Sequence, residues 1–210
     1  MRLIFIICLV ISTLSAQHDE LYKIDYDALK GYQKAYFASG CFWCVEAIYE
    51  SVKGVKEVVS GYSGGNFANP TYELISTGLT HHAEAVEVYY DENAVSFATL
   101  VKVFFGSHDP TLLNRQGPDV GSQYRSIAFY QNAGEKRIIE NYIKKLEAEK
   151  IFDNPIVTEV KKFDHFYPAE SYHQDYEKRN PHDRYIIFIS KPRINRFKSK
   201  FPELLKEDED

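Results

Sequence analysis

Methionine is almost absent from this chain: among 210 residues the only one is Met1. Such a composition fits an environment or a chemistry in which exposed thioethers are a liability. Cysteine is scarce as well, at Cys8, Cys41 and Cys44. A basic excess is missing, because 25 Lys and Arg face 30 Asp and Glu for a formal net charge of -5. That balance gives no reason to expect a nucleic-acid partner. The longest apolar run, Leu3 to Ile11, is too short to span a bilayer as a helix, which takes about 20 residues. Internal repeats, linkers and low-complexity segments are also lacking, apart from an acidic tail at residues 206–210.

What is present suits one globular domain, since 44% of the residues are hydrophobic and 15% aromatic. Residues 1–16 read as a signal peptide. Arg2 supplies the positive start, Leu3 to Ile11 the apolar middle and Ser12 to Ala16 the small-residue end. Export to a periplasm or out of the cell is therefore expected. Cleavage would discard Cys8 and leave Cys41 and Cys44 as the only thiols, in a compartment where disulfides form.

Residues 17–33 form a polar, aromatic-rich lead-in with room for a short helix, and residues 34–205 the domain proper. Strands are expected at Lys34–Ala38, Val55–Tyr62, Ala83–Tyr90, Ser126–Tyr130 and Ile156–Val160. Helices are expected at Phe42–Val52, Ser96–Ser107 and Gly134–Lys150, with a last, basic helix over Lys191–Lys200 read as a solvated face. Alternation of this kind implies a sheet covered by helices. Ser63–Pro70 and His108–Gln123 read as loops, and the second carries too many placed polar residues to be a linker.

The chemistry concentrates at Gly40-Cys41-Phe42-Trp43-Cys44, between a strand and a helix. A thiol attacks as thiolate, and a helix N-terminus is one place that lowers its pKa. Phe42 and Trp43 beside a reactive sulfur can line a small apolar pocket. Cys41 therefore reads as the nucleophile on a substrate with an apolar end, and Cys44 as the thiol that completes the cycle. Tyr72, Glu84, Asp119 and Tyr124 have no obvious core role, although each alone reads as a turn former, a solvated residue or a core tyrosine.

A series of motifs runs along the chain: Gly40–Cys44, Gly61–Gly65, Asn69–Tyr72, His82–Val86, His108–Pro110, Arg115–Gly117, Gly121–Arg125, Pro155–Thr158 and Ala169–Gln174. Taken in order, they resemble the A-type peptide methionine sulfoxide reductases. The resemblance implies an α+β single domain with a ferredoxin-like mixed sheet under helices and with long functional loops. It implies reduction of the S epimer of methionine sulfoxide, free or in oxidised proteins, by a monomer with no metal or organic cofactor. It implies Cys41 as nucleophile, Phe42 and Trp43 around the substrate methyl group, and Glu84, Tyr72 and Tyr124 at the sulfoxide oxygen, with Asp119 assisting binding. The chain departs from the family pattern twice. Thr80-His81-His82 stands where Thr-Gly-His is common, and no cysteine follows Cys44.

A sulfoxide oxygen is a poor leaving group, so an acid must be aimed at it, and Glu84 is the carboxyl these motifs offer. To donate near neutral pH its pKa must rise above about 4.3, which burial among aromatics would do. The Cys41 sulfenic acid would condense with Cys44, and an external dithiol such as a thioredoxin-like protein would reduce the disulfide. A general thiol–disulfide oxidoreductase is the main alternative, because a CxxC after a strand is also its mark. A metal module on Cys41, Cys44, His81 and His82, and a structural domain stapled by Cys41–Cys44, are further alternatives.

Overall fold

The computed structural model describes residues 23–207. The expected signal peptide, Cys8, the start of the lead-in and the last three tail residues lie outside the described residues. Six strands form one mixed sheet in the order β7-β6-β1-β3-β2-β8. These are β1 Gln33–Ser39, β2 Val55–Ser63, β3 Ala83–Tyr90, β6 Ser126–Tyr130, β7 Glu159–Lys162 and β8 Phe166–Pro168. Neighbours are antiparallel except β6 and β7. A two-stranded hairpin, β4 Arg115–Gln116 with β5 Asp119–Val120, stands apart.

The central strands are buried along most of their length, β3 at all eight positions, so both faces are covered. One face packs under α1 Phe42–Glu50, α3 Phe97–Ser107, α4 Ala133–Ala148 and α6 Lys191–Lys200. There Phe37 stacks at 5.2 Å on Tyr49 of α1 and at 5.3 Å on Phe104 of α3. The opposite face is closed by the N-terminal segment and the β7–β8 connection, with Tyr36 stacked at 3.6 Å on Phe163. Two short helices, α2 Tyr72–Ser76 and α5 Tyr176–Arg179, sit at the edge of the main core.

Local chemistry explains the boundaries. Ser96 caps α3 by accepting the Thr99 N–H at 3.1 Å, and Asn132 caps α4 by accepting the Glu135 N–H at 3.0 Å. The expected strand Ile156–Val160 falls instead at Glu159–Lys162. Val157 N–H is spent on the Pro110 carbonyl at 2.9 Å, so pairing with β6 begins only at Glu159. Helix α1 stops at Glu50 rather than Val52, because Val52 forms a bridge with Leu205. In the lead-in, residues 26–31 form turns and no helix, with Asp25 Oδ1 accepting the N–H groups of Asp27 and Ala28. The long loop His108–Gln123 proves to hold the small hairpin and the start of a 3-10 turn, Ser122–Tyr124. The final basic helix sits where it was expected, but Arg193, Ile194 and Phe197 on it are buried.

One backbone position fixes the entry to α1. Gly40 has φ +89, and a Cβ there would lie 2.6 Å from Cβ of Gln116 in the hairpin. Gly40→Ala is therefore expected to destabilise the fold by about 1–3 kcal/mol. Urea unfolding checks this, and an unchanged midpoint would contradict it.

Candidate active site

Strand β1 delivers Cys41 to the N-cap of α1, where it makes no side-chain cap bond, so its sulfur stays available. Cys41 and Cys44 are free thiols, 6% and 1% exposed. Helix α1 is anchored on several sides. Glu46 accepts the Ser60 hydroxyl of β2 at 2.7 Å and the Asp175 N–H at 2.9 Å. Tyr49 donates to the Leu100 carbonyl of α3 at 3.1 Å. The later turns of α1 are thus held against the sheet and α3, behind the turn that carries the thiols.

The two sulfurs are close enough for each to shift the other's ionisation. Contact with Cys41, then Arg193, Ser190 and Tyr185, brings Cys44 down to about 6 against the effect of burial. Burial, and next Cys44 itself, pushes Cys41 well up. Arg193, Ser190 and Tyr185 thus favour the charged form on the Cys44 side of the pair.

Glu84 lies on β3, facing α1, and is 2% exposed. Its Oε2 accepts the Phe42 N–H at 3.0 Å, the first free donor of the helix. Burial dominates and raises its pKa to about 8, with Asp119 and Cys44 adding to the rise and the Phe42 N–H opposing it. At neutral pH it is a carboxylic acid with a proton to give, within electrostatic reach of Cys41.

Aromatic rings surround this pair. Phe42 is buried among Tyr62 at 6.0 Å, Tyr72 at 6.4 Å and His173 at 5.0 Å. Trp43 stacks on Tyr176 at 3.8 Å, and its indole N–H donates to His173 Nδ1 at 3.2 Å. His173 is held neutral, near 4, chiefly by burial, so its 4.0 Å approach to Glu170 is no ion pair. Tyr72 and Tyr124 lie within electrostatic reach of both Glu84 and Cys41, and burial raises both hydroxyls, so they are neutral donors at physiological pH. Asp119 on the hairpin accepts the Tyr185 hydroxyl.

All eight residues expected from the sequence, Cys41, Phe42, Trp43, Cys44, Tyr72, Glu84, Asp119 and Tyr124, meet in this region. Sequence reasoning missed Tyr185, Glu170 and Arg193. Tyr185 has one proton and three acceptors around it, Asp119 and the two sulfurs, and in this structure Asp119 takes it. Glu170 accepts the Tyr62 hydroxyl at 2.7 Å and the Tyr72 N–H at 2.9 Å, fixing the start of α2. Gln174 clamps the backbone of Ser60 on both sides, accepting its N–H and donating to its carbonyl at 2.9 Å each. His108 is structural: its ring nitrogens contact the Phe104 carbonyl and the Ser126 hydroxyl. His82 spends its nitrogens on Gly65 and Phe67, and among the described residues no metal-sized cluster joins it to the cysteines.

A family model described as Peptide methionine sulfoxide reductase matches residues 33–205. The chain belongs to the A-type peptide methionine sulfoxide reductases. It is an oxidoreductase. It is 47% identical over 178 residues to peptide methionine sulfoxide reductase MsrA 2 of Synechocystis, covering 84% of this chain and 83% of that protein. It is 50% identical over 164 residues to MsrA of Nautilia profundicola, covering 78% and 93%. Its structure is similar to methionine sulfoxide reductase A of Corynebacterium diphtheriae, with TM-score 0.66 and 36% identity over 73% of this chain and 77% of that one. Where the reductase pattern commonly has Gly, His81 adopts φ +57, a left-handed conformation that His tolerates better than most residues.

The raised acid has a consequence for stability. Folded Glu84 keeps its proton up to pH about 8, whereas the unfolded chain loses it near pH 4.3. Between those values the unfolded state binds fewer protons, so this group lowers stability as pH rises. Glu84→Gln removes that slope. Its stability relative to wild type is expected to improve from about pH 5 to about pH 8, by up to about 1.4 kcal/mol per unit. Thermal melts at the two pH values check this, and a difference independent of pH would contradict it.

Proposed function

We propose that the protein reduces the S epimer of methionine sulfoxide, free or in oxidised proteins, to methionine. The observation that carries this reading is a buried, protonated Glu84 hydrogen bonded at the helix start that holds the thiol pair, under an aromatic cover. Phe42 and Trp43 hold the methyl group, Tyr72 and Tyr124 contact the sulfoxide oxygen, and Asp119 assists binding. The Cys41 thiolate attacks the sulfoxide sulfur while Glu84 protonates the oxygen. Methionine leaves, and the oxygen ends on Cys41 as a sulfenic acid. Proton donation of this kind contributes about 10²–10⁴ in rate.

Cys44 then condenses with the sulfenic acid, releasing water and forming the Cys41–Cys44 disulfide. Thiols three apart on a helix start about 5–6 Å apart at Cβ, so the first turn must yield slightly for the bond. A thioredoxin-like dithiol restores both thiols. The chemistry calls for no metal or organic cofactor. We read the protein as a monomer, exported by residues 1–16 to a periplasm or outside the cell. The order β6-β1-β3-β2, antiparallel throughout, supports a ferredoxin-like core with α1 and α3 as its crossovers.

Turnover of separated epimers with a small dithiol tests the reading. Only the S epimer should be consumed, and Cys41→Ser should abolish turnover. Equal consumption of the R epimer, or substantial activity in Cys41→Ser, would contradict it. Cys44→Ser should still release about one methionine per enzyme in a single turnover and then stall with a thioredoxin-like reductant. Sustained turnover of that variant with such a reductant would refute the resolving role.

A further inference from the structure

We propose that Arg193 is the counter-cation of Cys44, a positioning residue that favours its thiolate form once Cys41 carries the oxygen. The proposal rests on the reading that Cys44 resolves the sulfenic acid.

Arg193 is 8% exposed, and a buried guanidinium is costly without an opposite charge. Its direct partners are neutral. Nε donates to the Ser107 carbonyl at 2.8 Å, and Nη2 to the Ser39 carbonyl at 2.9 Å and hydroxyl at 3.3 Å. Among the described residues no carboxylate lies within ion-pair distance of it. It lies inside a continuous helical run, because π-helical Ile186–Ser190 leads directly into α6, so no helix end supplies its counter-charge.

Asp119 on the hairpin also feels the Arg193 charge, but its carboxyl lies beyond ion-pair distance and is taken up by the Tyr185 hydroxyl; Cys44 lies in the same cavity. Arg193 bonds to Ser39, two residues before Cys41, and shares a cavity of 170 Å³ with Cys44, Asp119 and Tyr185. The groups that act on or feel the Cys44 charge are Cys41 on its own helix, Glu84 on β3, Asp119 on the hairpin, Glu177 on α5, and Tyr185 and Ser190 before α6. None of them is a cation. Ser190 Oγ is buried near both the Cys44 sulfur and the Glu177 carboxyl, without a well-formed hydrogen bond to either. Arg196 lines the same cavity but is solvent-exposed, so its charge is screened. Arg193 is thus the one buried positive group facing Cys44 among the described residues, and its field reaches other groups here too. After burial, it is the next cause that holds His108 down near 3.

In the resolving step the Cys44 thiolate attacks the Cys41 sulfur and the Cys41 S–O bond breaks. The hydroxyl leaves as water with one proton from solvent. Cys41 is reduced from the sulfenic to the disulfide level, and Cys44 is oxidised from thiolate to disulfide. The step therefore slows as pH falls through the Cys44 titration.

The test is acid-quenched mass spectrometry of disulfide formation after one turnover, as a function of pH, in wild type, Arg193→Met and Arg193→Lys. The midpoint in Arg193→Met is expected to move up by about one unit or more, slowing the step about tenfold below the wild-type midpoint. Arg193→Lys should recover most of the shift, because it restores charge without the guanidinium fork. An unshifted midpoint in Arg193→Met would overturn the role of Arg193 while leaving Cys44 as resolver. Methionine release in wild type without any Cys41–Cys44 disulfide would overturn the resolving role itself. A measurement with Arg193 intact covers the case in which Arg193→Met does not fold. In Cys41→Ser, carbon-13 NMR of the cysteine Cβ should show Cys44 ionising below the ordinary thiol value of about 8.5, and ionisation at or above it would overturn the proposal.

Discussion

The hydrogen bond from the Phe42 N–H to Glu84 is the contact on which the site depends. It joins the central strand β3 to the first turn of α1 and sets a buried carboxyl beside two buried thiols. Charged forms are disfavoured there for every group, since removal from water penalises carboxylate and thiolate alike. The site resolves that conflict by keeping Glu84 as an acid and allowing the thiol pair one negative charge. A carboxylate at Glu84 would raise the thiols further, so acid and nucleophile support one another through their protonation states.

The scaffold serves that electrostatic arrangement. Glu84 stands on a strand buried at every position and paired on both sides, which leaves it little freedom to follow its charge into solvent. Helix α1 is short, and its position is set by Glu46 and Tyr49. The aromatic cover is built from distant segments, with Tyr72 fixed through Glu170 and Trp43 lodged between His173 and Tyr176. Excluding water from such a site strengthens each of its polar contacts.

Much of this was legible in the sequence because it is local. The span of β3 and of β6 followed from runs that start and stop sharply at polar or turn residues. The Cys41–Cys44 turn lies between a strand and a helix whose patterns are both clear, and the ordered motifs led to Glu84, Tyr72, Asp119 and Tyr124. What escaped was the contribution of the C-terminal stretch from residue 164 onward. Tyr185 and Glu170 act through hydrogen bonds to partners 66 and 108 positions away, with no periodic pattern to announce them. Arg193 was hidden for a different reason. It sits in a run of cations that reads as a solvated face, and only the packing of α6 shows that one of them points inward. The displaced strand β7 is a similar case, since one hydrogen bond to Pro110 decides where sheet pairing begins.

The central claim is that Glu84 is a carboxylic acid in the resting protein at neutral pH. Isotope-edited infrared spectroscopy of glutamate-labelled protein measures this directly, with Glu84→Gln identifying the band. The account predicts a protonated carboxyl band at neutral pH that belongs to Glu84 and fades as pH rises through about 8. A Glu84 already ionised at about pH 6, near its ordinary carboxylate behaviour, would contradict it.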